Sequence, residues 1–395
     1  MTTPFGTEAS RRVISELQSA GFETVFVGGA VRDFLLGKEP TDIDIATSAT
    51  PEQVKKVFRH TIDIGIEHGT ILVLAPEPIE VTTFRTEEIY SDHRATDEVV
   101  HGTSLKEDLQ RRDFTINALA MTLEDELVDW FGGRADLEAR VIRSVGKPRE
   151  RFGEDPLRVL RALRFSAVLN FHIESETLEA MKQLAHELQH IAIERIKVEI
   201  DKLFQGVNPS KAFQYSREIG LPTLFPELFS SFEQLDSFVP FTHARHGWAA
   251  MLSMSEVSAT ELAHHFKLSN EEKRFLKQCE DALNLRASRS FDVLDMYYFP
   301  LDVLNVVERI RHAKYPDETT ETYEQLVERK KQLPIQKRDE LAFTGTDLLQ
   351  WSGLRGGKWT SEWIEKIERA VVSGCIENDA QAIKEWFVYE ISRKE

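Results

Sequence analysis

Short apolar runs alternate with helical and glycine-containing segments from residue 23 to about residue 143. The runs are rich in β-branched residues and have the length of strands. They predict strands over residues 24–27, 43–46, 70–74, 79–84 and 127–129. This part of the chain is therefore expected to form a mixed sheet with helices.

From about residue 149 onward the strand signals fade, and apolar residues recur at helical spacing within long polar segments. Two series have this spacing: Leu157, Leu160 and Leu163, and then Met181, Leu184, Leu188 and Ile191. Prolines over residues 222–241 predict a joint, and Pro334 with the glycines of 353–357 marks a last module. The chain is therefore predicted to be an α+β protein, with a mixed β-sheet followed by an all-helical part.

The composition is that of an ordinary globular protein, with 41% of 395 residues hydrophobic and 29% charged. The N-terminal segment lacks the apolar stretch of a secretion signal, and no later stretch has the uncharged length of a membrane span. A cytoplasmic location is therefore predicted. The two cysteines, Cys279 and Cys375, lie far apart, which argues against a disulfide framework or a cysteine-based zinc site.

The formal net charge of −17 at pH 7 argues against non-specific binding to nucleic acid, because phosphate repels an acidic surface. Nucleic-acid binding therefore requires the fold to concentrate arginine and lysine along one groove. Candidate basic clusters lie at residues 111–112, 309–314, 329–331 and 337–338. For the last three clusters, solvated helix faces are the alternative.

A strand that runs into two glycines and then into a helix is predicted at residues 26–33. Two glycines let the backbone approach a ligand closely, and the free N–H groups of the following helix favour phosphate oxygens. Arg32, one turn into that helix, is placed to bind the same anion. An ordinary tight turn is the alternative for Gly28 and Gly29.

Two aspartates, Asp42 and Asp44, follow about a dozen residues later on a predicted strand. Residues i and i+2 share one face of a strand about 6.5 Å apart, so both carboxylates are expected to project together. Paired carboxylates suit Mg²⁺, and two such ions about 3.5–4 Å apart can activate a 3′ hydroxyl and stabilise leaving pyrophosphate. The glycine turn and the aspartates together predict a nucleotidyltransferase. Glu80 is a weaker candidate for a third carboxylate, with a strand-edge charge as the alternative.

Five segments occur densely and in one order within the first 165 or so residues. They are 27–33 (VGGAVRD), 42–49 (DIDIATSA), 80–85 (EVTTFR), 111–118 (RRDFTINA) and 154–158 (EDPLR), with Arg161 and Arg164 after them. In this set and order the chain resembles the class II CCA-adding enzymes, in the superfamily that also contains bacterial poly(A) polymerases. The resemblance implies an enzyme that adds C, C and A to the 3′ end of tRNA from CTP and ATP without a nucleic-acid template, releasing pyrophosphate.

The resemblance also implies an organisation and a set of site residues. A catalytic palm is expected over residues 1–148, a helical neck with a nucleobase-recognition helix over 149–205, a helical body over 206–330 and a tRNA-binding helical tail over 331–395. The residues expected to bind Mg²⁺ and catalyse transfer are Asp42 and Asp44. The residues expected to bind the nucleotide are Gly29, Arg32, Arg112, Asp155, Arg158, Arg161 and Arg164.

The segment at 111–118 makes physical sense as a wall of the nucleotide pocket. The guanidinium of Arg112 can neutralise triphosphate charge, and Asp113 and Asn117 can hold sugar hydroxyls or orient the arginine. A helix cap with surface charges is the alternative.

Asp155 and Arg158 lie three residues apart on a predicted helix and suit recognition of a base. Cytosine and adenine each present an amino donor next to a ring-nitrogen acceptor, whereas uracil and guanine present the reverse order. A carboxylate and a guanidinium therefore fit C and A, and would face unpaired groups on U and G. A salt bridge between the two residues is the alternative.

Residues 86–105 are predicted to form a loop, which the resemblance associates with the switch from C to A addition. Ala95 and Thr96 stand where relatives have an arginine and a proline. An A-adding or CC-adding enzyme is therefore an alternative, as are a poly(A) polymerase and a catalytically silent RNA-binding protein on the same fold. The acidity and the tail favour CCA addition over poly(A) synthesis. A homodimer is an alternative to a monomer.

Overall fold

A computed structural model describes residues 5–40, 42–65, 69–75, 77–85 and 104–393. The chain divides into two compact units, residues 1–240 and 241–395. This boundary lies at the end of the proline-bearing stretch that predicts a joint. The finer division into four regions stays a prediction. Residues 86–103, most of the predicted loop, lie outside the described residues.

The described part of the first unit contains a seven-stranded sheet in the order β3-β4-β5-β2-β1-β6-β7. Its strands are β1 (Thr24–Val27), β2 (Asp44–Thr47), β3 (Thr61–Gly65), β4 (Thr70–Ala75), β5 (Glu77–Thr83), β6 (Ala120–Met121) and β7 (Leu127–Val128). Neighbouring strands are antiparallel except β2 and β5, which are parallel. The predicted mixed sheet is confirmed.

The five predicted strands are all present, each within two residues of its predicted bounds. Two further strands of this sheet, β3 and β6, were not predicted. The two residues of β6 are too few for a periodic pattern. β3 is an edge strand whose Ile62 and Ile64 are exposed, so its sequence does not have the pattern of a buried strand.

β1 is buried on both faces, which explains its uninterrupted apolar sequence. On one face Val25 and Val27 belong to a core cluster with residues of β2, α4 and β6. On the other face the ring of Phe26 lies 4.8 Å from that of Phe5. Pairing aligns Val27 with Asp44 of β2, and Asp44 with Glu80 of β5. Strand pairing in the centre of the sheet thereby places the carboxylates of Asp44 and Glu80 next to each other.

The helices of the first unit lie before, between and after the strands along the chain. They are α1 (Glu8–Ser19), α2 (Gly29–Leu35), α3 (Pro51–Val57), α4 (Leu105–Gln110), α5 (Gly133–Ala139), α6 (Pro148–Glu154), α7 (Leu157–Leu169), α8 (Ser175–Leu184), α9 (Ile193–Phe204), α10 (Pro209–Glu218), α11 (Leu221–Leu224) and α12 (Pro226–Phe229). Their ends follow local signals: Thr7 and Thr50 cap α1 and α3 in capping boxes, and Pro148 begins α6.

α7 packs against α9 and α10. Its predicted packing face is confirmed, since Leu157, Leu160 and Leu163 are all buried. One detail departs from the all-helical expectation after residue 149. A strand β9 (His172–Ile173) pairs in parallel with β8 (Val141–Ile142), and two residues are too few to produce a strand pattern in the sequence.

The second unit is helical throughout its described residues. Its helices are α13 (Ala244–Met254), α14 (Ala259–His265), α15 (Asn270–Arg286), α16 (Val293–Tyr298), α17 (Leu301–Lys314), α18 (Tyr323–Lys331), α19 (Gly345–Ser352), α20 (Lys358–Val372) and α21 (Ala380–Ser392). Trp363 is buried in a core formed by the last three helices, and Trp351 and Trp359 pack against it. Across the described residues, no helix is both long and apolar enough to cross a membrane.

A buried ion pair joins α15 to α17 and provides a test of the second unit. Arg286 Nε donates to Glu308 Oε1 at 2.6 Å, and the two side chains are 7% and 1% exposed. We expect Glu308→Gln to lower the free energy of unfolding by about 3–5 kcal/mol, because it leaves the Arg286 charge buried without a counterion. Urea unfolding followed by circular dichroism measures the change.

The matched control is Asp281→Asn, which removes an exposed partner of Lys277 on α15. We expect the control to change the free energy of unfolding by less than about 1 kcal/mol, because exposed ion pairs contribute little. Equal losses in the two variants would contradict a special role for the buried pair.

Candidate active site

The turn between β1 and α2 brings three charged side chains together. Gly28 has a φ of 75°, a conformation that L side chains rarely adopt. A Cβ at this position would lie 2.8 Å from Arg112 Nη1 and 3.9 Å from Asp44 Oδ2. A Cβ at Gly29 would lie 3.5 Å from Arg32 Nη2. The absence of a side chain at Gly28 therefore leaves the space in which Arg112 approaches Asp44, and Gly29 leaves space beside Arg32.

The two predicted catalytic aspartates occupy different positions. Asp44 is the first residue of β2 and lines a cavity beside the glycine turn. Asp42 precedes the strand and is not among the residues that line the cavity, although both aspartates are exposed. β2 begins at Asp44, so Asp42 lies outside the strand, and the argument that the two residues share one strand face does not apply to them.

The surroundings of Asp44 disfavour its ionised form, and a bound cation would stabilise that form. Partial enclosure by the cavity walls raises the pKa of Asp44, Arg112 opposes this shift, and Glu80 and Asp42 raise the pKa further. Within the described ranges, no group of three or more histidine, cysteine, aspartate or glutamate side chains is arranged to hold a metal ion.

Asp108 of α4 fixes both arginines of the 111–118 segment. Its Oδ1 accepts from Arg111 Nη2 at 2.7 Å, and its Oδ2 accepts from Arg112 Nη2 at 3.1 Å. Burial alone would raise the pKa of Asp108, but Arg112 and Arg111 outweigh it and lower the pKa below its ordinary value. Asp108 therefore stays ionised and holds two guanidinium groups at the cavity wall.

A second buried carboxylate, Asp113, links α2 to α7 through a chain of hydrogen bonds. Arg32 Nη1 donates to Asn117 Oδ1 at 2.7 Å, Asn117 Nδ2 donates to Asp113 Oδ1 at 2.9 Å, and Arg161 Nε donates to Asp113 Oδ2 at 2.7 Å. Burial would raise the pKa of Asp113, but Arg161 and the hydrogen bonds lower it. Asp113 and Asn117 thus hold Arg161 and Arg32, whereas Arg112, the arginine they were expected to orient, is held by Asp108.

Phe165 of α7 is the apolar centre of this wall. The guanidinium carbons of Arg164, Arg32 and Arg161 lie 4.2, 5.3 and 5.7 Å from its ring centroid, within cation–π range. Arg164 is buried, pairs with Glu199 at 3.3 Å and does not line the cavity. Burial lowers the pKa of Arg164, and Glu199 opposes that shift. Contact between Arg164 and a nucleotide stays a prediction.

Asp155 and Arg158 both line the cavity but bind different partners. Asp155 Oδ2 accepts from Arg195 Nη2 of α9 at 3.1 Å. Arg158 Nη1 donates to Glu154 Oε2 at 2.8 Å. A salt bridge between Asp155 and Arg158, the alternative to base recognition, does not occur among the described contacts.

These side chains enclose one cavity of about 400 Å³, a volume typical of small-molecule sites. Its lining residues are Gly28, Gly29, Arg32, Asp44, Arg111, Arg112, Asp113, Asn117, Asp155, Leu157, Arg158, Arg161, Phe165 and Arg195. Six arginines face three aspartates here, an excess of positive charge in a protein whose net charge is −17. The cavity can therefore bind an anion such as a triphosphate at one wall while presenting carboxylates at another.

Seven of the nine predicted site residues line this cavity, and Asp42 and Arg164 do not. The sequence analysis did not single out four residues that support or line it: Asp108, Phe165, Arg195 and Glu199. Asp108 precedes Arg111 by three residues and Arg112 by four. A search for opposite charges at these helical spacings would have found it. Arg195 and Glu199 are one helical turn apart on α9, but their partners are about 40 residues away, and no local pattern reveals them.

Comparison with protein families identifies three matching regions. Residues 24–143 match the family described as "Poly A polymerase head domain". Residues 170–232 match "Probable RNA and SrmB- binding site of polymerase A", and residues 239–387 match the tRNA nucleotidyltransferase domain 2 family. The first of these regions contains the glycine turn and the aspartates.

Several similar proteins are known over nearly the whole chain. The CCA-adding enzyme of Anoxybacillus flavithermus is 43% identical over 380 residues, covering 95% of each chain. That of Enterococcus faecalis is 40% identical, covering 97% of this chain and 96% of its own. The crystal structure of the Bacillus stearothermophilus CCA-adding enzyme in complex with CTP is 34% identical and superposes with a TM-score of 0.86, covering 100% and 99%.

Substitution of the glycine turn tests the cavity. We expect Gly28→Ala to weaken CTP binding by about tenfold or more, because the new methyl group would displace Arg112. The control is Gly37→Ala, where φ is also positive, at 71°, but no atom lies within 4 Å of the added Cβ. Isothermal titration calorimetry measures both affinities. Equal weakening in the two variants would mean that backbone strain, and not the contact with Arg112, accounts for the loss.

Proposed function

The chain belongs to the family of CCA-adding enzymes, and on that premise we propose that its cavity selects CTP and ATP and transfers C, C and A to the 3′ end of tRNA. The substrate is a tRNA that lacks a complete CCA end, and pyrophosphate is released. One observation supports the proposal: a group of arginines, the carboxylate at the start of β2 and both Asp155 and Arg158 line the same cavity.

In the proposed reaction, the 3′ oxygen of tRNA forms a bond with the α-phosphorus of the bound nucleotide. The bond between that phosphorus and the pyrophosphate oxygen breaks, and the hydroxyl proton leaves to solvent. Arg32, Arg112 and Arg161 hold the triphosphate, since all three line the cavity and guanidinium groups suit phosphate oxygens. Gly29 lets the phosphates approach the start of α2.

Nucleotidyltransferases of this kind generally use divalent metal ions, and we propose Mg²⁺ held by Asp42 and Asp44. The raised pKa of Asp44, next to two further carboxylates, fits a site that a hard cation stabilises. When bound, the ion lowers the pKa of the attacking hydroxyl and neutralises the leaving pyrophosphate. Glu80, paired with Asp44 in the sheet, is a further candidate that the same argument favours less.

Base selection is proposed to rest on Asp155 and Arg158. The carboxylate accepts from the exocyclic amine of cytosine or adenine, and the guanidinium donates to the adjacent ring nitrogen. Both side chains line the cavity, and neither neutralises the other. Uracil and guanine would place a carbonyl against Asp155 and an N–H against Arg158, which disfavours both. Arg164 is proposed to support this wall through Phe165.

The other activities are less well supported. The curated relatives that match nearly the whole chain are CCA-adding enzymes, which favours CCA addition over poly(A) synthesis. Retention of Asp44, Asp155 and Arg158 in one cavity argues against a silent RNA-binding protein. We propose the roles of palm, neck, body and tRNA-binding tail for residues 1–148, 149–205, 206–330 and 331–395, and a cytoplasmic location where tRNA is processed.

Incorporation of each labelled triphosphate into three tRNA transcripts tests the proposal. The transcripts end before CCA, after C and after CC, and Mg²⁺ is supplied. We expect CTP to enter the first two and ATP the third only. Addition that stops at CC, or that occurs only on the CC-ended transcript, would identify one half of a split pathway. A-tracts on unrelated RNA would identify a poly(A) polymerase.

Replacement of either proposed metal-binding aspartate tests the carboxylate assignment. We expect Asp42→Ala and Asp44→Ala each to lower the rate of all three additions by roughly a thousandfold or more, because the charge that holds the ion is lost. Affinity for tRNA, measured by filter binding, should be retained. Asp63→Ala is the control, since Asp63 is an exposed aspartate of the same sheet. Wild-type rates in the Asp42 variant would assign the ion to other groups.

Replacement of Arg158 tests base selection separately. We expect Arg158→Ala to keep metal-dependent transfer but to lower the preference for CTP over UTP by about tenfold or more, because the donor to the ring nitrogen is removed. Competition among the four triphosphates on the transcript that ends before CCA measures the preference. An unchanged preference would rule out a role for Arg158 in reading the base.

A further inference from the structure

A carboxylate and a guanidinium that read a base must not satisfy each other. Asp and Arg form strong bidentate pairs, and such a pair would use the same donors and acceptors that the base requires. Asp155 and Arg158 are three residues apart around the start of α7, close enough for an i,i+3 pair. The protein therefore needs a means of keeping them apart.

Arg158 is held by groups on its own side of the cavity. Its Nη1 donates to Glu154 Oε2 at 2.8 Å and to the carbonyl oxygen of Arg151 at 2.7 Å. Its Nη2 donates to the carbonyl oxygen of Arg111 at 3.1 Å. These acceptors fix the plane of the guanidinium without using Asp155.

Asp155 is held by a different set. Its Oδ1 accepts from the backbone N–H of Leu157 at 3.1 Å, and its Oδ2 accepts from Arg195 Nη2 at 3.1 Å. The contact with Leu157 is local and places the first oxygen. The contact with Arg195 comes from α9, about 40 residues later in the chain, and fixes the direction of the second oxygen.

Arg195 is itself placed by the packing of α9. Ile196 and Ile200 of that helix are buried, and α9 packs against α7. Glu199, one turn from Arg195, pairs with Arg164 at 3.3 Å and lies 3.9 Å from Arg161. One face of α9 thus makes two ion pairs near α7: Glu199 pairs with Arg164, and Arg195 pairs with Asp155 just before the helix.

We propose that Arg195 is a positioning residue for nucleotide selection, which holds the carboxylate of Asp155 away from Arg158 so that both stay available to the edge of the base. A carboxylate oxygen has two lone pairs, so Oδ2 can accept from Arg195 and from the amine of cytosine or adenine together. This inference rests on the proposed function, because it concerns how the same cavity chooses its nucleotide.

Because the side chain of Arg195 is exposed, its effect on nucleotide selection can be measured separately from its effect on folding stability. Its side chain is 53% exposed and that of Asp155 is 25% exposed, so their ion pair contributes little to the folded state. Arg195→Ala is therefore expected to fold as the wild type does, which circular dichroism checks. Without Arg195, the cations close to Asp155 are those of α7, and the carboxylate turns toward them.

The experiment measures kcat/KM for CTP and UTP on a tRNA transcript that ends before CCA, using the full chain with Mg²⁺. For Arg195→Ala we expect the preference for CTP over UTP to fall by about tenfold, with a larger loss for CTP than for UTP. Arg195→Lys keeps a positive charge but has a single donor group, and should lie between alanine and wild type. Lys202→Ala, at an exposed position of α9, is the control and should keep the wild-type preference.

A double-variant cycle shows whether Arg195 acts through Asp155. In the Asp155→Ala background, Arg195→Ala should cause no further change in the preference, because its partner is absent. An unchanged preference in Arg195→Ala alone, an equal loss for CTP and UTP, or a full additional effect in the Asp155→Ala background would each overturn the inference. The wild-type reaction is the reference: if it incorporates neither CTP nor ATP into tRNA, the proposed function itself fails, which is a different result.

Discussion

Several arginines surround one cavity, and three buried carboxylates pair with four of them. Asp108 pairs with Arg111 and Arg112, Asp113 with Arg161, and Glu199 with Arg164. Guanidinium groups this close repel one another, and burial removes the water that would screen them. The lowered pKa of Arg164 has this origin, with burial as its main cause. The carboxylates of Asp108, Asp113 and Glu199 therefore stabilise the arrangement of arginines around the cavity.

The paired anions and cations come from separate parts of the first unit. Asp108 lies on α4, Asp113 follows it, the arginines at 161 and 164 lie on α7, and Glu199 lies on α9. The nucleotide site is therefore complete only when the sheet and the helices after it have packed together. The arginines that line the cavity outnumber its aspartates, so its wall is positively charged in a protein whose net charge is negative. A negatively charged ligand is therefore attracted to the cavity, while the remaining surface disfavours non-specific contact with nucleic acid.

The same arrangement separates two functions within the cavity. The start of the central strand β2 presents Asp44, paired with Glu80 of β5, where a cation and the reacting phosphate are expected. The start of α7 presents Asp155 and Arg158, where the base is expected, and Phe165 with its arginines lies between them. In the proposed function, chemistry and base choice are thus assigned to different elements.

The sequence by itself determined the class of fold, the elements that carry the motifs and most of the residues at the cavity. These features are local: two glycines after a buried strand, aspartates at a strand start and charges at helical spacing are fixed by backbone geometry within a few residues. Tertiary structure decided the rest. It excluded Asp42 and Arg164 from the lining, and it separated Asp155 from Arg158 by giving them different partners. It also brought Arg195 and Glu199 to the site from α9, because ion pairs between distant segments depend on how helices pack and leave no periodic pattern in the chain.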